Sequence, residues 1–338
     1  MKRLVLVSVC AALTACNNGP NGGPSAATAC ADEANALCML RDSCGPNFEI
    51  ARLYGTLAQC TMRTAATCVH SLAATGQGNT PAHVESCAAA YPGESCSDFF
   101  DGNPVAACVP PMGSLPSGAA CGAPGQCASG YCAIAQNQVC GTCQPLPAVG
   151  ASCQVQADCG RDLACAIPSG ATTGSCAAFV PSGGACLTGH QPCQSGFACV
   201  GDDPATMKMG TCQTAGATVG AACDGSRKTA PSCDGADGFV CVPNGKGTSV
   251  GTCQRIALVA AGAKCGPIGM APITGFAECE GGGLCDATGT CVAPAADGAA
   301  CDSDPTKGPP CLLPAKCVPT NATTTAGTCV LPDATRCM

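Results

Sequence analysis

Cysteine is the residue with chemistry to do here: the 338-residue chain holds 36 of them, with three His and no Trp. Thiols at that density can oxidise in pairs, converge as thiolates on a soft metal ion, or act singly as nucleophiles and lipid attachment points. Spacing separates these chemistries. A thiolate cluster aims several sulfurs at one ion and draws on dense Cys-x-Cys and Cys-Cys steps, neither of which occurs. The only Cys-x-x-Cys is Cys140-Gly-Thr-Cys143, without the βαβ pattern and reduced compartment that would make it a redox motif. Structural disulfides are therefore expected, with no metal and no cofactor. No catalytic residue is assigned either. His70 and His83 are lone histidines on expected surface helices, His190 falls in a loop, and no Ser-His-Asp set or phosphate loop is recognisable. The chain is not expected to be an enzyme.

The cysteines need a compartment in which to pair. The opening MKRLVLVSVCAALTAC has a positive start at Lys2 and Arg3, an apolar run from Leu4 to Ala12, and small residues after it. That is a secretory signal pattern, too short to persist as a spanning helix. Its last four residues, Leu13-Thr14-Ala15-Cys16, resemble the bacterial lipobox. The resemblance implies that residues 1–15 are a lipoprotein signal peptide and that Cys16 becomes an acylated amino terminus anchored in a membrane. One acyl chain binds marginally, whereas several hold stably. Asn17, rather than Asp, follows Cys16, which in that family favours the outer membrane. The expected localisation is exported, lipid-anchored to the bacterial outer membrane or cell surface. A plain signal peptide cut near Cys16 is the alternative. Residues 16–29, rich in Asn, Gly, Pro and Ser, are expected to be a flexible tether.

Cys10 leaves with the signal and Cys16 is reserved for lipid, so 34 of the 36 cysteines remain, an even number. Seventeen disulfides is the natural reading of an exported chain. Two kinds of element must position them. Residues 30–108 carry Cys30, Cys38, Cys44, Cys60, Cys68, Cys87, Cys96 and Cys108 and read as a helical cysteine-rich domain. Ala34, Leu37, Cys38 and Arg41 recur at helical spacing from Cys30 until Gly45-Pro46 stops the run. Asn47 can cap a second helix, with Ile50, Leu53, Tyr54 and Leu57 on one side, running through Cys68 toward Gly76. Thr80-Pro81 starts a third that ends near Tyr91-Pro92-Gly93. Cys30 and Cys38 repeat the interval of Cys60 and Cys68, so two antiparallel helices can be joined by rungs Cys30–Cys68 and Cys38–Cys60. An eight-residue step rotates by about 80°, which makes that fit imperfect.

From residue 117 a four-cysteine unit recurs six times, at 117–143, 149–176, 182–212, 219–253, 261–291 and 297–338. The first cysteine follows a Gly-Ala-type step at Cys121, Cys153, Cys186, Cys223, Cys265 and Cys301. The second is Cys127, Cys159, Cys193, Cys233, Cys279 or Cys311. The third, usually after Gly and an apolar residue, is Cys132, Cys165, Cys199, Cys241, Cys285 or Cys317. The fourth ends Gly-Thr-Cys or Gly-Ser-Cys at Cys143, Cys176, Cys212, Cys253, Cys291 and Cys329. Units this small cannot be held by a core and need covalent staples. Short two-stranded hairpins and loops are expected, with glycines in tight turns of positive φ. Four cysteines allow three connectivities, of which first–third with second–fourth is the expected one. Cys140 and Cys337 exceed the scheme. Cys337 lies where a seventh unit would begin and marks a truncated cap on unit six, and a bond between the two is one option.

This spacing resembles the Dickkopf amino-terminal cysteine-rich domain and, more loosely, EGF-like modules. A helical cysteine-rich region followed by such repeats is also similar to uncharacterised bacterial surface lipoproteins. The resemblance implies a small disulfide-rich fold and a non-enzymatic binding role. The Gly-Ala lead-ins lack the acidic, Asn-rich lead-in of calcium-binding EGF modules.

Composition narrows the function classes. There are 44 Gly and 27 Pro but only seven Phe and three Tyr, so a large apolar core is not expected. Net charge is −7, and about −9 once Lys2 and Arg3 are gone, with no basic cluster, so nucleic acid is not an expected partner. Two readings remain: a lipid-anchored array presenting a protein- or glycan-binding surface, and a protease-resistant envelope spacer with no ligand. The long, divergent loops Cys223 to Cys233 and Cys265 to Cys279 favour the first.

Overall fold

The computed structural model describes residues 22–269, 273–304, 306–321 and 323–337. The expected signal peptide, residues 1–15, and Cys16 lie outside the described residues. Among those described, no helix is long and apolar enough to cross a membrane.

A helical region comes first. Helix α1 (Ala26–Cys44) is capped by Ser25, whose hydroxyl accepts the Thr28 N–H at 3.1 Å. Residues 26–29 thus belong to the helix and not to a tether: the cap and two good helix formers start it early, and Ala29 is fully buried. The expected second helix is broken into α2 (Glu49–Tyr54) and α3 (Leu57–Leu72). Gly55, at φ 78°, ends the first piece, and the Thr56 hydroxyl caps the second by accepting the Gln59 N–H at 3.1 Å. Asn47 does not cap α2; its own φ is 62° and Phe48 takes the N-cap position. Helix α4 (Pro81–Ala90) starts at Thr80, whose hydroxyl accepts the His83 N–H. A further short helix, α5 (Cys96–Asp101), follows a Ser95 cap.

Four disulfides tie these helices. Cys30–Cys68 and Cys38–Cys60 join α1 to α3, with Cα–Cα distances of 5.6 and 6.1 Å. Cys44–Cys96 joins α1 to α5, and Cys87–Cys108 closes α4 onto the following turn. The core between them is small, with Leu40, Cys44, Cys87 and Tyr91 buried against Phe99 and Phe100.

Six disulfide units follow. In units one to four and unit six, the strand carrying the fourth cysteine lies between the other two, antiparallel to both. The hairpin is thus three-stranded, because the strand carrying the first cysteine pairs with its open edge. In unit four, strands Ala222–Asp224 and Phe239–Pro243 flank Val250–Arg255, placing Cys223 opposite Gly251 and Cys241 opposite Cys253. Unit five splits into a three-stranded sheet with one parallel pairing and a separate two-stranded sheet.

Every unit bonds its first cysteine to its third and its second to its fourth, from Cys121–Cys132 and Cys127–Cys143 to Cys301–Cys317 and Cys311–Cys329. The glycine three residues before each first cysteine has positive φ, from 76° at Gly183 to 86° at Gly150, and its N–H donates to the carbonyl of the fourth cysteine. In every unit but the fifth, the glycine two residues before the fourth cysteine has another reason. A Cβ on Gly251 would sit 1.9 Å from the Val242 carbonyl oxygen, and one on Gly174 would sit 2.1 Å from that of Ala166. Only a bare α-carbon lets the neighbouring strand approach so closely.

The array is not a free rod, as a one-dimensional repeat protein would be. All six units rest on the helical region. Gln126 of unit one donates to the Thr75 carbonyl at 2.9 Å, and the Asp162 N–H of unit two donates to Asn103 at 2.8 Å. In unit three, the N–H and hydroxyl of Ser195 both donate to buried Asp101. Gly238 of unit four lies on the Phe48 ring, and the N–H groups of Gly281 and Gly282 of unit five donate to the carbonyls of Ala51 and Arg52. Arg63 of α3 reaches Asp297, Leu312 and Leu313 of unit six. Units with almost no apolar core of their own gain buried surface by leaning on helices.

The array also closes on itself. Cys140 in unit one is bonded to Cys337, 197 residues on, with Cα atoms 5.3 Å apart. Cys337 therefore begins no seventh unit. It follows a 3₁₀ turn, Ala334–Arg336, capped by Asp333 and packed on α3.

One titratable group follows from this packing. Burial at α1 pushes the Glu33 carboxyl up to about 7 from an ordinary 4.5. The folded state then holds the proton more tightly than the unfolded chain. Stability from this group is full below about pH 4.5 and is lost as pH rises through about 7. Glu33→Gln should flatten that decline and raise stability at pH 8 by about 2 kcal/mol. Denaturant midpoints at pH 5 and pH 8 measure it, and an unchanged difference between the two would count against the assignment.

Candidate functional site

The 34 cysteines from Cys30 to Cys337 are all spent in disulfides. Within a unit the two bridges stack: the sulfurs of Cys121, Cys127 and Cys143 all lie within 4.8 Å of one another. As disulfides they present no thiolate to a metal. Cys16, where the sequence leads one to expect lipidation, lies outside the described residues. The histidines are far apart in sequence and setting. His70 on α3 has its Nδ1 4.0 Å from Asp333, His83 lies in the first turn of α4, and His190 sits in a unit-three loop with its N–H bonded to the Leu187 carbonyl.

A recess of about 680 Å³ opens where units three and four meet. Two loops build it. One, following the third cysteine of unit three, supplies Asp202, Asp203 and Lys208; the other, between Cys223 and Cys233, supplies Ser226, Arg227 and Lys228. The second loop is organised by Asp224, which is 1 % exposed. Its carboxylate accepts the N–H and hydroxyl of Ser226, the N–H of Lys228, and the N–H and hydroxyl of Thr229, at 2.7 to 3.1 Å. Those donors, the Ser226 hydroxyl foremost, hold the Asp224 carboxyl far below the usual carboxylate range.

The acids in the recess are engaged by their own loops. Asp202 accepts the Thr188 N–H at 2.8 Å, and Asp203 accepts the Thr206 hydroxyl and the Ala205 N–H, which depresses its pKa. Lys208, Arg227 and Lys228 form no ion pair among the described residues, although the Lys228 charge helps to hold the Asp203 carboxyl down. The two loops are locked together by the Gly201 N–H, which donates to the Arg227 carbonyl at 2.8 Å.

No protein-family model, curated protein or solved structure matches this chain. The recess must therefore be read from its own chemistry. Two of its loop residues carry local strain: Met207 and Arg227 have φ of 57° and 56°. Asn tolerates that region, but a long side chain does so only when its surroundings enforce it, and such strain clusters at ligand clamps and switches. In a frame stapled by Cys186–Cys199 and Cys223–Cys241 it is sustained without loss of the fold. The length of the Cys223 to Cys233 loop marked it in the sequence. Its partner loop in unit three carried no such signal, because the proximity of the two depends on how the units stack. Asp224→Ala should release residues 226–229, raising their amide exchange by roughly tenfold or more while the rest of unit four stays protected. Unchanged exchange there would mean that the flanking disulfides alone hold the loop.

Proposed function

We propose that this is a non-enzymatic, lipid-anchored envelope protein that binds an anionic glycan or protein partner in the recess between units three and four. The observation that carries this is the trio of unpaired cations, Lys208, Arg227 and Lys228, held on strained but stapled loops. A preorganised cationic recess binds an acidic partner without an ordering cost at the moment of contact. Cys16, after Leu13-Thr14-Ala15, supplies the anchor, and the disulfides fit the oxidising side of a bacterial inner membrane. The expected placement is the outer membrane or cell surface. The seventeen closed disulfides support a second reading, a protease-resistant envelope spacer without a specific ligand.

Cross-linking on intact cells separates the two. A reproducible partner captured by the native protein and lost in Arg227→Ala/Lys228→Ala supports binding, and no partner supports the spacer. Binding should weaken steeply with salt, because the contact is charged and exposed. Intact mass spectrometry of the mature protein reads the anchor. Acylation at Cys16 with no free thiol is expected, and Cys16→Ser should move the protein out of the membrane fraction with every disulfide intact.

A further inference from the structure

A second cavity, on units one, two and six rather than three and four, has a different character. It encloses about 470 Å³ beneath the segment that follows α5. Val109, Tyr131 and Ile134 line it, and Met112 and Leu146 border it with 73 % and 47 % of their surfaces exposed. Met112 is the most exposed large apolar side chain among the described residues. Two exposed apolar side chains beside an apolar cavity are a feature that binding, not folding, explains.

The polar contribution to its lining includes two cations of separate origin, Arg161 from unit two and Lys316 from unit six. Neither forms an ion pair or a side-chain hydrogen bond among the described residues. Asp158, whose charge acts on Tyr131, is engaged elsewhere: its carboxylate accepts the N–H groups of Gln154 and Val155. Lys316 is half-buried, and burial without a partner draws its ammonium pKa down. An ammonium in that setting is costly unless an anion joins it. Apolar walls of this size with two unpaired cations and no paired acid describe an amphipath with one negative end. Guanidinium and ammonium groups match a carboxylate well.

We propose that this cavity binds a free long-chain aliphatic carboxylate, with its hydrocarbon against Val109, Ile134, Met112 and Leu146 and its carboxylate on Arg161 and Lys316. The site shares no residue with the cationic recess, so either can fail alone. It also depends on the array's closure, since Lys316 reaches unit one only because unit six returns to it.

The test uses the full chain and a fluorescent 11-(dansylamino)undecanoate, displaced in turn by dodecanoate and dodecanol. Saturable binding on the order of micromolar is expected, with dodecanol at least about tenfold weaker than dodecanoate. Lys316→Met keeps the side-chain volume and should cost roughly tenfold for dodecanoate while leaving dodecanol unchanged. Ile134→Asp should abolish both. Equal affinities for acid and alcohol, no displacement, or dodecanoate binding that survives Lys316→Met combined with Arg161→Met would each overturn the proposal. Probe binding only after removal of the Cys16 acyl group would also overturn it, by assigning the cavity to the chain's own anchor.

Discussion

Replacing Cys140 and Cys337 together by serine is expected to cost more stability than removal of either bridge of any single unit. A disulfide acts largely by restricting the unfolded chain, and the restriction grows with the logarithm of loop length. The bridges inside the units close loops of 11 to 20 residues, whereas Cys140–Cys337 spans 197. A bare loop of that size would be worth about 5 kcal/mol, but the ten bridges of units two to six already shorten the path around it, so ~3–4 kcal/mol is the expected loss. The folded state loses a contact as well. A Cβ on Gly122 would meet the Ala334 α-carbon at 2.6 Å, so the 334–336 turn, besides packing on α3, is pressed against unit one. Guanidinium midpoints and limited proteolysis read the two effects separately. The midpoint should fall, and cleavage should begin in residues 331–337 before any other segment. An unchanged midpoint with a protected tail would show that the circuit is held closed by packing on α3 and not by the bridge.

What was legible in the sequence follows from the range of the interactions. Cysteine parity, the four-cysteine period and the Gly steps are local, and each repeats, so the stapled modules and the helical start were visible. The interval shared by Cys30, Cys38 and Cys60, Cys68 is the interval that the two α1–α3 bridges use. The break at Gly55 was missed because Leu53, Tyr54 and Leu57 continue the helical period straight through it, and only the backbone at φ 78° reveals the stop. The glycine of Gly-Thr-Cys was noticed as a signature, but its cause is a carbonyl on a strand eight or more residues away. The wrapping of the array was not legible at all. It rests on single contacts such as Ser195 to Asp101 and Gln126 to Thr75, between residues 94 and 51 positions apart, whose types are ordinary surface types. Both candidate sites inherit that limit: the cationic recess joins loops of units three and four with Ser169 of unit two, and the apolar cavity joins units one, two and six.

Arg63 is the residue on which that wrapping can be weighed. On α3 it is 7 % exposed, with no charged neighbour on its own helix to explain its burial. Its guanidinium donates two bonds to Asp297, at 2.7 and 3.0 Å, and two more to the carbonyls of Leu312 and Leu313. Arg63→Ala leaves the Leu313 carbonyl without a donor, the Leu312 carbonyl with only the Ala315 N–H, and Asp297 without its cation. Breaking a buried pair by removing one partner typically costs about 3–5 kcal/mol, and Asp297, 40 % exposed, recovers part of that from water. A loss of ~2–3 kcal/mol is expected. Arg63→Lys should recover less than half, because one ammonium cannot serve a carboxylate and two carbonyls in the same plane. A double-mutant cycle with Asp297→Ala should show a coupling of roughly 1–2 kcal/mol. The decisive comparison is the same substitution in the Cys140→Ser/Cys337→Ser background. With the circuit intact, unit six stays near α3 even when Arg63 is gone, so the lost bonds cost only their own energy. With the circuit open, the same loss should let unit six swing away and expose α3 around Arg63 to amide exchange. Equal, additive costs in both backgrounds would instead mean that unit six is held by its neighbour, unit five, and that the helical region merely rests against it.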